Sequence, residues 1–373
     1  MRKLRVAIVA PSLRILGGQA VQAQRLLDAW AGDPDIEAWL VPVNPVPGGW
    51  LAHLLKIKYL RTLITQCLYW PLLFRELRRA DVVHVFSASY SSFLLAPLPA
   101  IIVARILGRP VILNYRSGEA PDHLRRSAIA RAAIARVSRS IVPSRFLVDV
   151  FSSFGLHAVA VPNVVDLDRF KFRDRHPLRP RVVSTRNFES LYNVACTLRA
   201  FQLVQKRWPN ASLTLVGGGA LEGELRALAA DLKLEHVEFI GRVPPEKIAD
   251  YYAENDIYVQ SPNIDNMPTS ILEAYASGLP VVATEAGGVP AILTDGEHGM
   301  LVPINDHVAL AQSILLLLEQ PGVARELSQS AFAMCGAFSW AQVRGQWLSH
   351  YRQVWWAYVV APAHGLRLNP GAK

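Results

Sequence analysis

Residues 263–293 read NIDNMPTSILEAYASGLPVVATEAGGVPAIL and determine how the second half of the chain folds. Pro268 marks the start of a helix, and the helical period ends at Ser277 and Gly278. The apolar run PVVAT at 280–284 then predicts a short buried strand. A strand also precedes the stretch, in DIYVQS at 256–261. Strand, helix and strand in this order are typical of a parallel sheet with crossover helices.

The same alternation extends to both ends of the chain. Before residue 171 it is carried by four apolar runs: LRVAIVAP, DVVHVF, PVILNY and SIVP. After residue 181 it restarts with RVVSTR, ASLTLVG and HVEFIG. The intervening KFRDRHPLRPR, at 171–181, is charged and holds two prolines, as interdomain linkers do. The sequence therefore predicts an α/β protein with two doubly wound, Rossmann-like domains that face each other across a cleft.

The length of the chain supports two domains, because one hydrophobic core rarely serves more than about 250 to 300 residues. We expect an N-terminal domain at 1–174 and a C-terminal domain at 175–340. A C-terminal helix at 341–360 and a loose tail at 361–373 follow. Doubly wound sheets bind ligands beyond the carboxyl ends of their strands. The cleft between the domains is therefore the expected site.

Charge is distributed unevenly along the chain. Residues 1–175 hold 24 Lys and Arg against 12 Asp and Glu, while the remainder holds 15 against 18. Residues 51–79 mix leucine, isoleucine, tyrosine and tryptophan with Lys and Arg, which suits either an anionic membrane surface or an ordinary amphipathic helix. No nucleic-acid motif is present. No window is apolar enough to cross a bilayer, so a cytoplasmic protein, peripheral on the inner face of the plasma membrane, is expected.

Few residues suggest structural cross-links or metal chemistry. The three cysteines are far apart and lack a CxxC pair, which argues against disulfides and zinc and fits a reducing compartment. Asp166 and Asp168 have the spacing of a metal-binding DxD, but two acids in a charged loop are commonplace. The sequence therefore predicts no metal site and no cofactor.

Two elements have the composition of a nucleotide-sugar site. Gly17 and Gly18 join a strand to a helix, where backbone amides can approach a phosphate, although such a turn is often only a turn. Asp265 and Glu273 lie at and just inside a helix start, where carboxylates can accept hydrogen bonds from ribose and hexose hydroxyls. The helix amides between them suit the diphosphate. Taken alone, however, Asp265 could cap the helix and Glu273 could be solvated.

The motifs in order resemble the GT-B glycosyltransferases of family 4, retaining enzymes with an E-x7-E signature. The resemblance covers nearly the whole chain, and it implies that 1–174 is the acceptor-side domain and 175–340 the nucleotide-sugar-binding domain. The matching segments are GGQ at 17–19, DVVHV at 81–85, VPSRF at 142–146, VPNVVDLDRF at 161–170, STRN at 184–187, LVGGG at 215–219, FIGRV at 239–243 and LEAYASGLPVVAT at 272–284.

This resemblance implies a role for each matching residue. Arg186 would neutralise the donor diphosphate, Asp265 would hold a sugar hydroxyl and Glu273 would hold the ribose. The remaining donor contacts would come from the glycine turn and the helix start, at Gly17, Gly18, Met267, Thr269 and Ser270. The aromatic final helix would pack on the first domain.

Two positions depart from the family pattern. Asp265 replaces the usual glutamate and is one methylene shorter. Tyr192 stands where the family usually has a lysine, so one cation is missing. We expect Arg116 to compensate from the first domain, with Glu119 and His123 in the same loop available to the acceptor.

The resemblance implies retention by front-face attack, in which the leaving diphosphate helps to accept the acceptor proton. Donor binding would close the domains about a hinge near residue 175. The donor would be a nucleotide-diphosphate sugar and the acceptor a saccharide or lipid-linked hydroxyl, as in cell-surface polysaccharide or glycolipid synthesis. Two alternatives remain open: another GT-B enzyme, such as an epimerase or phosphorylase, and a noncatalytic GT-B assembly partner at the membrane.

Overall fold

The computed structural model describes residues 2–14, 17–48 and 57–360, with only the backbone described at 58, 59, 359 and 360. It divides into two compact units. Unit 1 comprises the chain up to Pro162 together with the residues from Val343 onward, and unit 2 comprises Asn163–Gln342.

Unit 1 contains a six-stranded parallel sheet in the order β2-β1-β3-β4-β5-β6. Its strands are β1 (Leu4–Ala10), β2 (Ile36–Pro42), β3 (Val82–Ser87), β4 (Val111–Tyr115), β5 (Arg139–Val142) and β6 (Val159–Ala160). Its helices are α1 (Gly18–Trp30), α2 (Lys58–Leu77), α3 (Tyr90–Leu95), α4 (Pro97–Ile106), α5 (Ala120–Arg126), α6 (Ala128–Ile134) and α7 (Arg145–Ser153).

Unit 2 contains a second six-stranded parallel sheet, in the order β12-β11-β10-β7-β8-β9. Its strands are β7 (Arg181–Ser184), β8 (Ser212–Val216), β9 (Val237–Gly241), β10 (Ile257–Gln260), β11 (Val281–Thr284) and β12 (Met300–Val302). Its helices are α8 (Val194–Arg207), α9 (Glu222–Asp231), α10 (Ile248–Glu254), α11 (Thr269–Ala276), α12 (His307–Glu319) and α13 (Pro321–Cys335). The last helix, α14 (Trp340–Trp355), continues into a π-helical turn, Trp356–Val360.

The predicted α/β class with two parallel sheets is confirmed, and the differences are local. Residues 91–108 have the apolar pattern of one helix but form two, because Pro97 starts α4 directly after the break at Ala96. Residues 125–139 likewise have the pattern of one helix, which breaks at Ser127, whose side chain caps α6. The edge strand β2 escapes the sequence pattern because the exposed Glu37 interrupts its apolar run.

The division between the units falls before the predicted linker at 171–181. Asn163 already belongs to unit 2, where its side-chain amide donates to the Met267 carbonyl at 2.8 Å. Within the linker, the Arg175 guanidinium is buried against the carbonyl ends of α10 and α11. The charges that mark this segment as a linker in the sequence therefore attach it to unit 2.

The aromatic face of α14 packs within unit 1. The Tyr351 hydroxyl lies 2.7 Å from Nδ1 of His84 on β3, and the Trp347 ring stacks on the same imidazole at a centroid distance of 4.7 Å. Arg344 forms ion pairs with Asp33 at 2.7 Å and Asp35 at 2.7 Å. His84 is therefore part of the core.

Burial of His84 predicts that the protein loses stability in acid. Burial, together with the charge of Arg116, lowers the pKa of His84 to about 3, whereas an unfolded histidine titrates near its ordinary value of about 6.5. The unfolded chain therefore takes up a proton that the folded chain refuses as the pH falls below about 6.5. Between pH 8 and pH 5 this one group should lower the free energy of unfolding by about 2 kcal/mol.

Denaturant titrations at the two pH values measure this effect. The His84→Gln variant should lose that part of the pH dependence. A matched change at the exposed His157 should keep the full wild-type dependence. An unchanged dependence in His84→Gln would show that this histidine is not the source.

Over the residues that the structure describes, no helix is both long and apolar enough to cross a membrane. Residues 51–56 of the basic and aromatic stretch at 51–79, including Lys56, lie outside the described residues.

Candidate functional site

Two segments of unit 2 meet at the carboxyl edge of its sheet. Arg186 follows the end of β7, while Asp265 lies in the connection that runs from the end of β10 to α11. Strands β7 and β10 are neighbours, and parallel strands end at the same edge. The two side chains are therefore brought together although they are 79 positions apart.

Arg186 is held by three partners. Its Nη2 donates to Oδ2 of Asp265 at 2.5 Å, and its Nη1 donates to Oγ of Ser270 at 3.1 Å. Its Cζ lies 4.0 Å from the centroid of the Tyr192 ring, which is a cation–π contact. The tyrosine that replaces the usual lysine therefore contacts the arginine directly.

Both members of the ion pair are mostly buried, with 11% of the Arg186 side chain and 13% of the Asp265 side chain exposed. Burial raises the pKa of Asp265 above its ordinary value, against the opposing charge of Arg186. Burial acts to lower the pKa of Arg186, but Asp265 and the neighbouring tyrosines outweigh it and raise that pKa. Arg186 is thus a permanent cation, and Asp265 is a carboxylate whose charge depends on that cation.

One donor of Arg186 remains unused. Among the described residues, Nε of Arg186 has no hydrogen-bond partner although it is buried. The same holds for Nε2 of Gln260, at the end of β10. A buried donor without a partner is costly and marks a place where an acceptor is expected. The site thus offers N–H groups, one of them on a cation, to an oxygen-rich ligand.

Glu273 lies in the second turn of α11 and is 7% exposed. Its Oε2 accepts a hydrogen bond from the Tyr252 hydroxyl at 3.1 Å, and that hydroxyl is 2.7 Å from Oγ1 of Thr185. The alternative of a solvated Glu273 is therefore wrong. So is the alternative of Asp265 as a helix cap, because Pro268 occupies the N-cap and no side chain caps this helix.

The remaining predicted residues of this segment lie at the same helix start. Thr269 is half-buried and is the first residue of α11, and Ser270 is buried behind it. Met267 is buried, and its carbonyl accepts the hydrogen bond from Asn163 described above. The structure thus collects Arg186, Tyr192, Asp265, Ser270 and Glu273 into one site.

A buried polar network beneath this site has no counterpart in the sequence prediction. Oε1 of Gln260 accepts from the Tyr258 hydroxyl at 3.1 Å and from Oγ of Ser270 at 3.3 Å. Tyr252 belongs to the same layer through Glu273. In sequence these residues resemble core positions of a strand and a helix. The available signal was a glutamine at the last position of a buried strand, which is where doubly wound sheets place ligand-facing groups.

Glycines allow the loops of the site to approach one another. At Gly217 the backbone has φ +156°, and a Cβ there would run into the Arg186 carbonyl. A Cβ at Gly288 would run into the Asn266 carbonyl. Glycine at these two positions therefore allows close approach to the backbone at Arg186 and at Asn266, which follows Asp265.

The glycine turn of unit 1 lies at the corresponding edge of the first sheet. Gly17 is the N-cap of α1, and Gly18 is its first residue. Ideal Cβ atoms at either glycine would meet no atom of the described residues within 4 Å. Gln19 fixes the start of the helix by donating from Nε2 to the Ser87 carbonyl at 3.0 Å.

The loop after β4 carries the other predicted residues of unit 1. Arg116 is half-buried, with its Cζ 5.4 Å from the centroid of the Phe86 ring, and burial lowers its pKa to about 9. Glu119 is half-buried and precedes α5. His123 is buried, with Nδ1 2.7 Å from the Tyr115 hydroxyl. Burial lowers the pKa of His123, so it is a neutral core imidazole.

Metal ligands are not gathered in the described part of the chain. No group of three or more His, Cys, Asp or Glu side chains suited to a metal ion occurs there. Asp166 is 3.6 Å from Arg169, as an ion pair.

Two family profiles match the chain in succession. The profile described as "Glycosyltransferase Family 4" matches residues 16–169, and the profile described as "Glycosyl transferases group 1" matches residues 168–334. The chain belongs to the group 1 glycosyltransferases. The family predicted from the motifs is thereby confirmed.

Curated relatives of this glycosyltransferase include enzymes named for inositol-containing acceptors. The D-inositol 3-phosphate glycosyltransferase of Nocardia farcinica is 27% identical over 74% of the chain and 64% of the relative. The GDP-mannose-dependent alpha-(1-6)-phosphatidylinositol monomannoside mannosyltransferase of Mycolicibacterium smegmatis is 30% identical over 59% of the chain and 62% of the relative. The matched part of the chain thus spans less than two thirds of either relative.

Solved structures share the GT-B fold with this glycosyltransferase. HepE of Anabaena, solved with UDP-glucose, has a TM-score of 0.74 at 18% identity, over 94% of the chain and 99% of HepE. Sucrose-phosphate synthase of Thermosynechococcus elongatus has a TM-score of 0.77 at 19% identity, with the same coverage. At these identities the likeness establishes the fold.

Proposed function

We propose that this glycosyltransferase moves a sugar from a nucleotide-diphosphate sugar to a hydroxyl of a saccharide or lipid-linked acceptor, with retention of configuration. The observation that carries the proposal is the Arg186 site. A permanent buried cation with an unused N–H lies beside the start of α11, and Glu273 lies within that helix. Diphosphates require a cation and amide donors, whereas an acidic side chain suits sugar hydroxyls.

Each residue of the site has a task in this reaction. Arg186 and the first amides of α11 stabilise the charge that develops on the leaving diphosphate. Glu273 accepts hydrogen bonds from the ribose hydroxyls, and Asp265 does so from the transferred sugar. Retention follows if the acceptor attacks from the face that the diphosphate leaves, with a diphosphate oxygen accepting the acceptor proton. The protein then contributes positioning and electrostatics in place of a nucleophile.

No metal ion is expected to assist the leaving group, so a second cation is needed beside Arg186. We assign that role to Arg116, the arginine of the loop that follows β4 in unit 1. The glycine turn at Gly17 and Gly18 is assigned to the donor phosphates, and Glu119 to the acceptor.

The acceptor is proposed to be presented at an anionic membrane. The relatives named for phosphatidylinositol acceptors support this, as does the surface of unit 1. Leu63 on α2 and Leu94 and Leu95 on α3 are exposed, and the two helices adjoin where Nε2 of Gln66 donates to the Leu95 carbonyl at 2.9 Å. The exposed Arg61 accompanies them. Apolar side chains beside cations suit a peripheral contact with lipid.

A donor screen tests the proposed function. Release of nucleoside diphosphate from UDP-, GDP- and ADP-sugars is measured with and without saccharide and polyprenyl or phosphatidylinositol acceptors. At least one donor should be turned over, faster when an acceptor is present. The Glu273→Gln variant should lower kcat/KM by about tenfold or more, because a charge-assisted hydrogen bond is worth at least about 1.4 kcal/mol.

The matched control is Glu326→Gln, an exposed helical glutamate of the same unit. It should behave as the wild type. Turnover that does not respond to Glu273→Gln would contradict the assignment of the site. Turnover of donor that never depends on an acceptor would favour the epimerase or phosphorylase alternative.

A further inference from the structure

We propose that Asp265 competes with the donor diphosphate for Arg186, so that a nucleotide must displace this carboxylate in order to bind. The displaced carboxylate then turns to the sugar. This inference rests on the proposed function and adds a selection step to it. With a sugar nucleotide, hydrogen bonds between Asp265 and the sugar offset the free energy of the lost ion pair. A free nucleoside diphosphate offers no such hydrogen bonds.

The Arg186 guanidinium can bind a phosphate through one of its edges. Nε and Nη2 share one edge of this planar group and can donate together to two oxygens of one phosphate. Of the Arg186 nitrogens, only Nη2 donates to Asp265 in the structure. Nε, on the same edge, has no partner among the described residues. The ion pair is thus half of a bidentate interaction. A diphosphate can complete the pair of hydrogen bonds that Asp265 leaves incomplete.

Arg186 has contacts that do not depend on Asp265. The Tyr192 ring faces the guanidinium at 4.0 Å, and Oγ of Ser270 accepts from Nη1, which is not on the shared edge. These contacts leave the Nε and Nη2 edge open when the carboxylate departs. Tyr192 and Ser270 therefore keep the cation in place while its ligand changes.

Asp265 can move as a side chain while its backbone stays fixed. Its carbonyl accepts from the Gly288 amide at 3.2 Å, and its Oδ1 accepts from the Asn266 amide at 2.9 Å. Rotation of the side chain breaks the contact with Arg186 and the hydrogen bond from the Asn266 amide, while the bond from Gly288 to the carbonyl keeps the loop in place. Asp265 can therefore exchange Arg186 for other hydrogen-bond donors without a movement of the loop that carries it.

Charge makes the exchange necessary. A diphosphate on Arg186 would bring anionic oxygens next to the Asp265 carboxylate, and like charges in a buried site repel strongly. The titratable groups that act on Arg186 are Asp265, Tyr192, Tyr252 and Tyr258, and Glu273 contacts this set through Tyr252. Asp265 is the one that pairs with the guanidinium. Its carboxylate must therefore leave Arg186 and find other donors, which the sugar hydroxyls supply.

Titration calorimetry tests this competition with UDP, GDP and the donor sugar nucleotide found in the screen above. Asp265→Asn removes the competing charge while keeping the size of the side chain. It should bind UDP or GDP about tenfold more tightly than the wild type, and the intact sugar nucleotide should gain less or lose affinity. Asp265→Ser is a second neutral variant, for which the same result is expected. It replaces Asp265→Asn in the measurement if that variant folds poorly.

The control for the change in net charge is Asp231→Asn, at the exposed end of α9, which should match the wild type. Unchanged or weaker binding of the free nucleotide to both neutral Asp265 variants would overturn the competition. If the competition is overturned but Glu273→Gln still weakens nucleotide binding, the proposed function is retained without the competition. If no nucleotide binds to the wild type, both proposals fail.

Discussion

The double variant Arg186→Met, Asp265→Asn is expected to lower kcat/KM for the donor sugar by about 10²- to 10³-fold, which is the typical loss on removing a donor that stabilises a developing anion. Arg186 is the cation of unit 2 that is assigned to the leaving diphosphate, and the tyrosine at position 192 cannot replace its charge. Both residues are changed because a buried Asp265 without its partner would destabilise the fold by itself. Initial rates of nucleoside diphosphate release measure the effect.

The control is Arg181→Met, which removes an exposed guanidinium at the other end of β7. It should keep the wild-type rate, and the double variant should keep a cooperative thermal transition. A folded double variant with wild-type kcat/KM would rule out Arg186 as the cation of the reaction.

Arg175→Met is expected to lower the free energy of unfolding by about 2 to 3 kcal/mol, because a buried acceptor that loses its donor costs about 1 to 3 kcal/mol. The Arg175 side chain is 2% exposed and lies 3.7 Å from the buried Asp256. Its guanidinium also donates to the carbonyls of Tyr252, Asn255 and Ser277 at 2.8, 2.9 and 2.5 Å. These carbonyls lie at the ends of α10 and α11, and methionine offers them no donor, although Arg173 also donates to those of Asn255 and Ser277.

Denaturant titration measures this loss. Arg207→Met, which removes an exposed arginine paired with Glu319, should cost less than about 1 kcal/mol. Because α11 carries Ser270 and Glu273, Arg175→Met should also weaken nucleotide binding. A loss no greater than that of the control would mean that the carbonyls of α10 and α11 do not depend on this guanidinium.

Much of the fold could be predicted because the chain alternates clearly between short apolar runs and helical periods. The motif at 263–293 indicated both the helix start and the two acids of the site. The order of the strands was out of reach, since alternation does not reveal that β7 and β10 are neighbours. For that reason the ion pair between Arg186 and Asp265 was not predicted, although both residues were.

Other parts of the site are invisible in sequence for a related reason. Tyr252, Tyr258 and Gln260 have the pattern of a buried helix and strand, and only the packing shows that their polar atoms meet Glu273 and Ser270. The charged segment at 171–181 has the composition of a solvated linker. Burial of Arg175 against helix ends depends on tertiary structure, which composition does not encode.

Hydrogen–deuterium exchange of the full chain, with and without the donor sugar nucleotide, tests the central claim most directly. With the donor bound, amide exchange is expected to be slower in two segments of unit 2, 184–192 around Arg186 and 263–273 around Asp265 and Glu273. Exchange at the exposed α9 should stay unchanged. Donor binding that leaves both segments unprotected would contradict the account.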